Sequence, residues 1–561
     1  MSLTDWIVLA ITLLFIILYG IWKSRGAKNI EGYLLADRQL PWYHVGLSVM
    51  ATQASAITFL SAPGQGYSDG LRFVQFYFGL PLAMVVLCIT FIPIFHKLNV
   101  YTAYEYLEKR FDFKTRTLTA FLFLLQRGLS TGITIYAPAI ILSTILEVNI
   151  TYTIIANGLL VITYTVYGGT KAVSYTQLLQ MSIIFGGLFL AAFMVVHLLP
   201  DHVSFTDALH IAGKLNKLNA IDTEFDLNNR YNIWSGIIGG FFLQLSYFGT
   251  DQSQVGRYLT GKSIAQSRLG LVMNGLIKIP MQFFILLIGV LVFAFYQFHP
   301  EPIFFNQSEV NKLKNSKYQT EFAELEISFL ASNEEKKTAV NALVNAIHKE
   351  DQVLIDAART QVQQADEKSK QIKNQVKILM ESNDPSGDTN DSNYIFLTFV
   401  TKQLPVGVVG ILIAIIFLAS MGSTASGLNS LASTTVVDFY KRIFRKEENE
   451  AGYLRASRMA TVAWGIFCVV VAIYASKLGN LIEAVNILGS LFYGTILGIF
   501  LVAFYLKSVS GKAVFIAAII AEIFIVVSWL TDLTAFLWLN VIGCLLVMGF
   551  SFILQKLLIR K

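Results

Sequence analysis

The stretch Met50-Ala-Thr-Gln-Ala-Ser-Ala-Ile-Thr-Phe-Leu60 decides how the chain is read. It lies in an apolar segment long enough to cross a membrane, yet Thr52, Gln53, Ser55 and Thr58 fall within two helical turns. Hydrocarbon offers such groups no hydrogen-bond partner, so they must face a cavity or another helix. Two readings are open. Small residues can mark a packing face where helices approach closely. Alternatively the helix is interrupted here and carbonyls released at the break hold an ion.

The surroundings are those of a membrane protein. Hydrophobic residues make up 54% of the chain and charged residues 14%, against about 25% charge in a soluble domain. Cys88, Cys468 and Cys544 all lie in apolar segments, so no disulfide framework is implied. The net charge of +6 sits mostly in short loops, where it sets topology and calls for no nucleic acid. With about 20 apolar residues per crossing, about thirteen spans are expected. They lie near 5–24, 42–63, 71–98, 116–146, 151–168, 172–199, 231–258, 270–297, 405–438, 453–475, 480–506, 511–531 and 534–557. Lys and Arg collect at 23–28, 108–116, Lys171, 257–268, 441–446, Lys507, Lys512 and the Arg560-Lys561 tail. The loops 147–151, 477–480 and 531–534 are poor in them. That alternation predicts a cytoplasmic or plasma membrane protein with its N-terminus outside and C-terminus inside. The apolar run 6–21 has its basic residues after it, which predicts a retained helix rather than a cleaved signal.

Two extramembrane pieces interrupt the rhythm, an outer loop at 201–230 and a soluble-looking insertion at 298–393. In the latter, Val340, Leu343, Val344 and Ile347 recur at helical spacing, predicting an extracytoplasmic hairpin of charged helices. Such faces are usually just solvated; docking of a protein partner, or a lid, is the alternative. Asn306-Gln-Ser308 fits a glycosylation sequon.

A second polar cluster, Ala419-Ser-Met-Gly-Ser-Thr-Ala-Ser-Gly-Leu-Asn-Ser-Leu-Ala-Ser-Thr-Thr435, fills the ninth span. Neither cluster holds a carboxylate. Carbonyl and hydroxyl oxygens suit a weakly held monovalent cation, whereas a transition metal would want His or Cys. Elsewhere in the spans Arg127 lies deep enough to need a buried partner or an anionic ligand, while Lys278 can snorkel toward an interface. No P-loop, nucleophile elbow, zinc motif or dinucleotide fingerprint stands in a usable context, so the chain reads as a non-enzyme.

The chain resembles the sodium/solute symporter family over nearly all its spans, failing only in the 298–393 insertion. The resemblance is carried by Ala54-Ser-Ala56, Tyr104-Glu-Tyr-Leu-Glu-Lys-Arg-Phe111, Thr131-Gly-Ile-Thr-Ile-Tyr-Ala-Pro-Ala139, Tyr167-Gly-Gly-Thr-Lys-Ala-Val173 and Met421 to Asp438 with Leu428-Asn-Ser430, all in order. It is nearest the iodide, monocarboxylate and multivitamin branch and the sialic acid carriers. It implies an all-α polytopic, LeuT-like fold of two inverted five-helix repeats, with first-repeat residues 42–200. The second repeat starts at 231–297 and resumes at 394–506; 1–41 and the two C-terminal helices of 507–561 are additions. By position it implies a sodium site from the carbonyls of Ala51, Ala54 and Ala419 and groups at Gly422, Ser423 and Thr424. Gly422 departs from the family, which has a hydroxyl residue there. Gln177 stands where some members carry an aspartate for a second sodium, so one sodium per cycle is expected. The implied solute pocket uses Gln53, Ser55, Thr58, Tyr77, Gln244, Tyr247, Phe248, Lys278 and Asn486, with Arg127 tilting the choice toward a small organic anion. The expected function is sodium-coupled solute symport by alternating access, in contact with the lipid bilayer. The alternatives are proton coupling, or a transporter-like sensor that uses the insertion as a docking module.

Overall fold

The computed structural model describes residues 1–24, 35–385, 387–444 and 450–559, apart from the side chains of a few helical residues, 167–172 among them. The basic residues at 25–28, 445–446 and 560–561 invoked for orientation lie outside them, as does the side chain of Lys171. Among the described residues the secondary structure is helical, with one isolated bridge between Leu40 and Gly261.

The chain opens with α1 (Leu3–Ser24), then α2 (Trp42–Gln53) and α3 (Ala56–Asp69). After a run of short helical pieces come α4 (Phe113–Leu146) and α5 (Ile150–His197). Then follow α6 (Gly240–Thr250), α7 (Gln252–Tyr258) and α8 (Ile264–Tyr296). The insertion contributes α9 (Gln319–His348) and α10 (Gln352–Asn383), and α11 (Ser392–Gln403) leads back. The chain closes with α12 (Val408–Thr434), α13 (Glu450–Ile473), α14 (Leu481–Tyr505), α15 (Gly511–Leu530) and α16 (Phe536–Ile559).

Ten helices among the described residues are long and apolar enough to cross a membrane. The expected thirteen are not recovered as thirteen continuous helices, because hydropathy windows do not register breaks. The expected second span is cut between α2 and α3, and the seventh between α6 and α7. The fifth and sixth spans run on as one helical stretch, α5, yet the chain bends sharply inside it. An unbent helix would hold Tyr164 and Thr176 about 18 Å apart, whereas their hydroxyls are 2.8 Å apart.

Helix α8 runs parallel to the broken α2–α3 pair along its whole length. The Trp42 amide donates to Gln266 Oε1 at 2.7 Å, Gly46 packs on Gly270, and Pro63 and Gly66 pack on Gly289 and Leu286. A methyl added at Gly289 would stand 1.9 Å from the Pro63 carbonyl oxygen, so this approach requires glycine. In the insertion α9 and α10 lie antiparallel, with Val340, Leu343 and Val344 buried on one helix and Ile355, Val362 and Val376 on the other. The Ser332 and Ser369 hydroxyls meet between them at 2.9 Å.

Candidate ion and solute site

The interruption read from the sequence is present. Helix α2 ends at Gln53, Ala54 and Ser55 leave helical geometry (ψ 85° and 174°), and α3 starts at Ala56. In an unbroken helix the Ala51 and Ala54 carbonyls would accept from Ser55 and Thr58. Instead the Ser55 amide donates to Gln53 and the Thr58 amide to Ser55. Of the three carbonyls implied as ion ligands, those of Ala51 and Ala54 thus lose their helical partners. Both residues are buried.

Helix α12 packs against both halves of this broken helix. The Thr52 and Ser426 hydroxyls are 3.1 Å apart. Ser423 donates to the Ala419 and Ser420 carbonyls at 2.9 and 3.1 Å, leaving its oxygen lone pairs free to coordinate. Thr424 is fully buried, and among the described residues its hydroxyl has no hydrogen-bond partner. Gly422 faces α5: a methyl there would stand 2.6 Å from Gln180 Oε1, so the amide of Gln180 occupies the place of a hydroxyl side chain at this position. Gln177 bridges α2 and α12. Its Oε1 accepts from Ser48 at 2.6 Å, while its Nε2 donates to Thr52 at 3.2 Å, Ser426 at 3.0 Å and the Gly422 carbonyl at 3.3 Å.

A second break, not anticipated from the sequence, separates α6 from α7 at Asp251, whose backbone is extended (φ −79°, ψ 118°). The Thr250-Asp251-Gln252 trio was its signal. The Asp251 carboxylate caps α7 by accepting from the Ser253 amide and hydroxyl at 2.8 and 2.7 Å. Its other oxygen pairs with the Arg127 guanidinium and accepts from the Tyr493 hydroxyl at 2.8 Å. Arg127 also donates to Tyr493 at 3.0 Å and lies 5.5 Å from the Tyr247 ring centre.

Between the two breaks lies a cavity of about 90 Å³. Of the expected solute residues, Gln53, Ser55, Thr58, Tyr77, Arg127, Gln244, Tyr247 and Asn486 line it. Phe248 and Lys278 do not. Adjacent residues on a helix diverge by about 100°, so Tyr247 faces the cavity and Phe248 is fully buried behind it. Lys278, level with the α2–α3 break by the α8 pairing, is fully buried, 5.7 Å from the centre of the Tyr77 ring. Buried in this way it does not snorkel, and among the described residues its Nζ has no hydrogen-bond partner. Gln126, Ile482, Gly489 and Tyr493 line the cavity without having been expected there. Among the described residues, Gln53 Oε1, Gln126 Oε1, Arg127 Nε and both polar atoms of Gln244 are buried without hydrogen-bond partners, so the walls offer both donors and acceptors.

The sodium:solute symporter family model matches residues 33–318 and 385–521, which leaves out the hairpin. The chain belongs to that family. It is a membrane protein and a sodium-coupled solute symporter. It is 27% identical to a sodium/glucose cotransporter of Vibrio parahaemolyticus over 92% of this chain and 84% of that one. A sodium/sialic acid symporter of Aliivibrio fischeri is 26% identical over 94% and 88%. The human sodium/iodide cotransporter is 32% identical over 52% of this chain and 45% of its own. In structure the chain resembles a Na+-coupled sialic acid symporter solved in a substrate-bound outward-open state (TM-score 0.75, 22% identity, 99% and 98% covered). That likeness gives the LeuT-like fold.

Proposed function

We propose that this symporter couples one sodium ion to one small organic solute by alternating access. The observation that carries this reading is the break at Ala54–Ser55, which frees two carbonyls of buried residues from their helical partners where the broken helix packs on the hydroxyl-rich α12. The donor set is neutral and all oxygen, which fits a sodium ion that must bind and leave again. The Ala51, Ala54 and Ala419 carbonyls would hold it, with Ser423 and Thr424 completing the shell in place of Gly422. An ion there ties the broken helix to α12 and favours the state that accepts solute; by linkage solute favours the ion to the same degree. A second cation has no vacancy beside it: the Gln177 amide nitrogen already lies among the Thr52, Ser426 and Gly422 oxygens.

The solute falls at the small end of the family's range. The cavity is well below the roughly 300–1,000 Å³ of drug-sized sites, which favours a monocarboxylate over a sialic acid or a vitamin. Arg127 no longer argues for an anion, because Asp251 balances its charge. Lys278 stays outside the cavity lining, so the preference for an acid rests on the carriers the chain resembles. The N-out, C-in orientation is part of the same reading. Uptake of a panel of short carboxylates into proteoliposomes, with sodium replaced by choline at two pH values, tests it. Uptake that persists in choline would overturn sodium coupling.

A further inference from the structure

The hairpin α9–α10 lies in the gap of the family match, yet it is fastened to the part of the molecule that changes shape in the proposed cycle. Glu301, just beyond α8, is buried. Its carboxylate collects three donors from three helices: Tyr67 of α3 at 2.5 Å, Lys336 of α9 at 3.1 Å and Lys373 of α10 at 2.5 Å. The lysines hold this carboxyl well below its usual range, although burial alone would raise it. Tyr67 stands near the outer end of α3, its ring edge-on to Phe293, Tyr296 and Phe305. Lys336 is only 3% exposed. Solvated pairs on the same hairpin, such as Lys368 with Glu335, are more than half exposed on both sides and contribute little. A buried carboxylate shared by two lysines is a different kind of contact, because removing one partner strands the others. A second fastening ties the far end of the hairpin to the preceding loop, where His348 meets Asp207 at 3.0 Å and His202 meets Asn341 at 3.2 Å.

We propose that Glu301, Lys336 and Lys373 are positioning residues for transport, making the hairpin a brace on α3. The outer half of the broken helix and the hairpin then move as one body, and the brace governs exchange between outward and inward states without touching ion or solute. This rests on the sodium reading above, since sodium binding at the break is what would set α3 in motion.

Hydrogen exchange on the full-length protein in nanodiscs tests it, comparing wild type with Tyr67→Phe and Glu301→Gln. Tyr67→Phe removes only the link to α3 and leaves the lysines paired, so it folds even if Glu301→Gln does not. In choline, where no ion enters, Glu301→Gln is expected to speed exchange at 62–69 and at 332–340 together, by roughly tenfold in both. Loosening of the hairpin alone would overturn the brace. In sodium, the wild type is expected to gain protection at 332–340 as well as at 51–58, and Tyr67→Phe to keep the second and lose the first. Loss of neither in Tyr67→Phe would also overturn it. If sodium changes nothing at 51–58 in the wild type, the sodium reading fails, while the choline comparison still decides the brace.

Discussion

The two helix breaks do opposite things with their polar groups. At Ala54–Ser55 the break is neutral: the Ala51 and Ala54 carbonyls lose their helical partners, and the Thr52 hydroxyl meets that of Ser426 on α12. At Asp251 it is charged and closed upon itself. The carboxylate caps α7, pairs with Arg127 and accepts from Tyr493, so both of its oxygens are already engaged. We read the first break as the ion site; the second is an internal joint that shapes the cavity wall. A polar residue in a span is thus a ligand candidate only after its partners inside the protein have been counted.

The strongest way to break this comparison is to uncouple the charged joint. Arg127→Met or Asp251→Asn leaves a buried group unpaired and is expected to cost about 3–5 kcal/mol of stability. The double variant should recover most of that in thermal unfolding in detergent. If Arg127→Met is as stable as wild type but loses anion uptake, Arg127 is a solute ligand after all. Next comes the neutral tie. Gln177→Leu removes the bridge between α2 and α12 and is expected to cost about 2 kcal/mol. Gln177→Asp is expected to open a second cation place, with the sodium cooperativity of uptake rising from about one toward two. An unchanged cooperativity would mean that the amide does not stand in for an ion. A smaller effect is expected for Ser423→Ala, which should raise the half-saturating sodium concentration about fivefold. Unaltered sodium dependence would remove Ser423 from the site and leave Thr424 as the hydroxyl ligand.

The smallest effect serves as a control far from both breaks. Asp388, in the loop before α11, is pushed up to about 6, chiefly by burial and against the pull of the Asn390 backbone and Tyr394 hydrogen bonds. Its folded value lies above the free one, so ionisation is penalised at neutral pH, and the penalty fades as pH falls through about 6. Exchange at 387–391, corrected for intrinsic rates, should slow a few-fold between about pH 7.5 and pH 5. The breaks should show no such trend.

Much of the site could be read directly from the residues. Hydrophobic windows found the spans, and polar residues with no reason to face lipid marked both the broken helix and α12, which packs against it. Eight of the ten expected solute residues line the cavity. What failed did so for geometric reasons. Tyr247 and Phe248 cannot share a face, and hydropathy gave no sign of the second break, because Asp251 resembles any polar residue near a span end. Lys278 looked free to snorkel, and the packing of α8 on the broken helix denies it that route.

The sequence by itself determined that this is a polytopic membrane protein with two neutral polar clusters. Transfer from water to hydrocarbon acts residue by residue and needs no knowledge of neighbours. Only the tertiary structure decided which polar groups are already spoken for: Arg127 by Asp251, the Gly422 carbonyl by Gln177, Glu301 by the hairpin. Those partners lie far apart in the chain, and whether a buried charge is a ligand site or a joint depends on what closes around it.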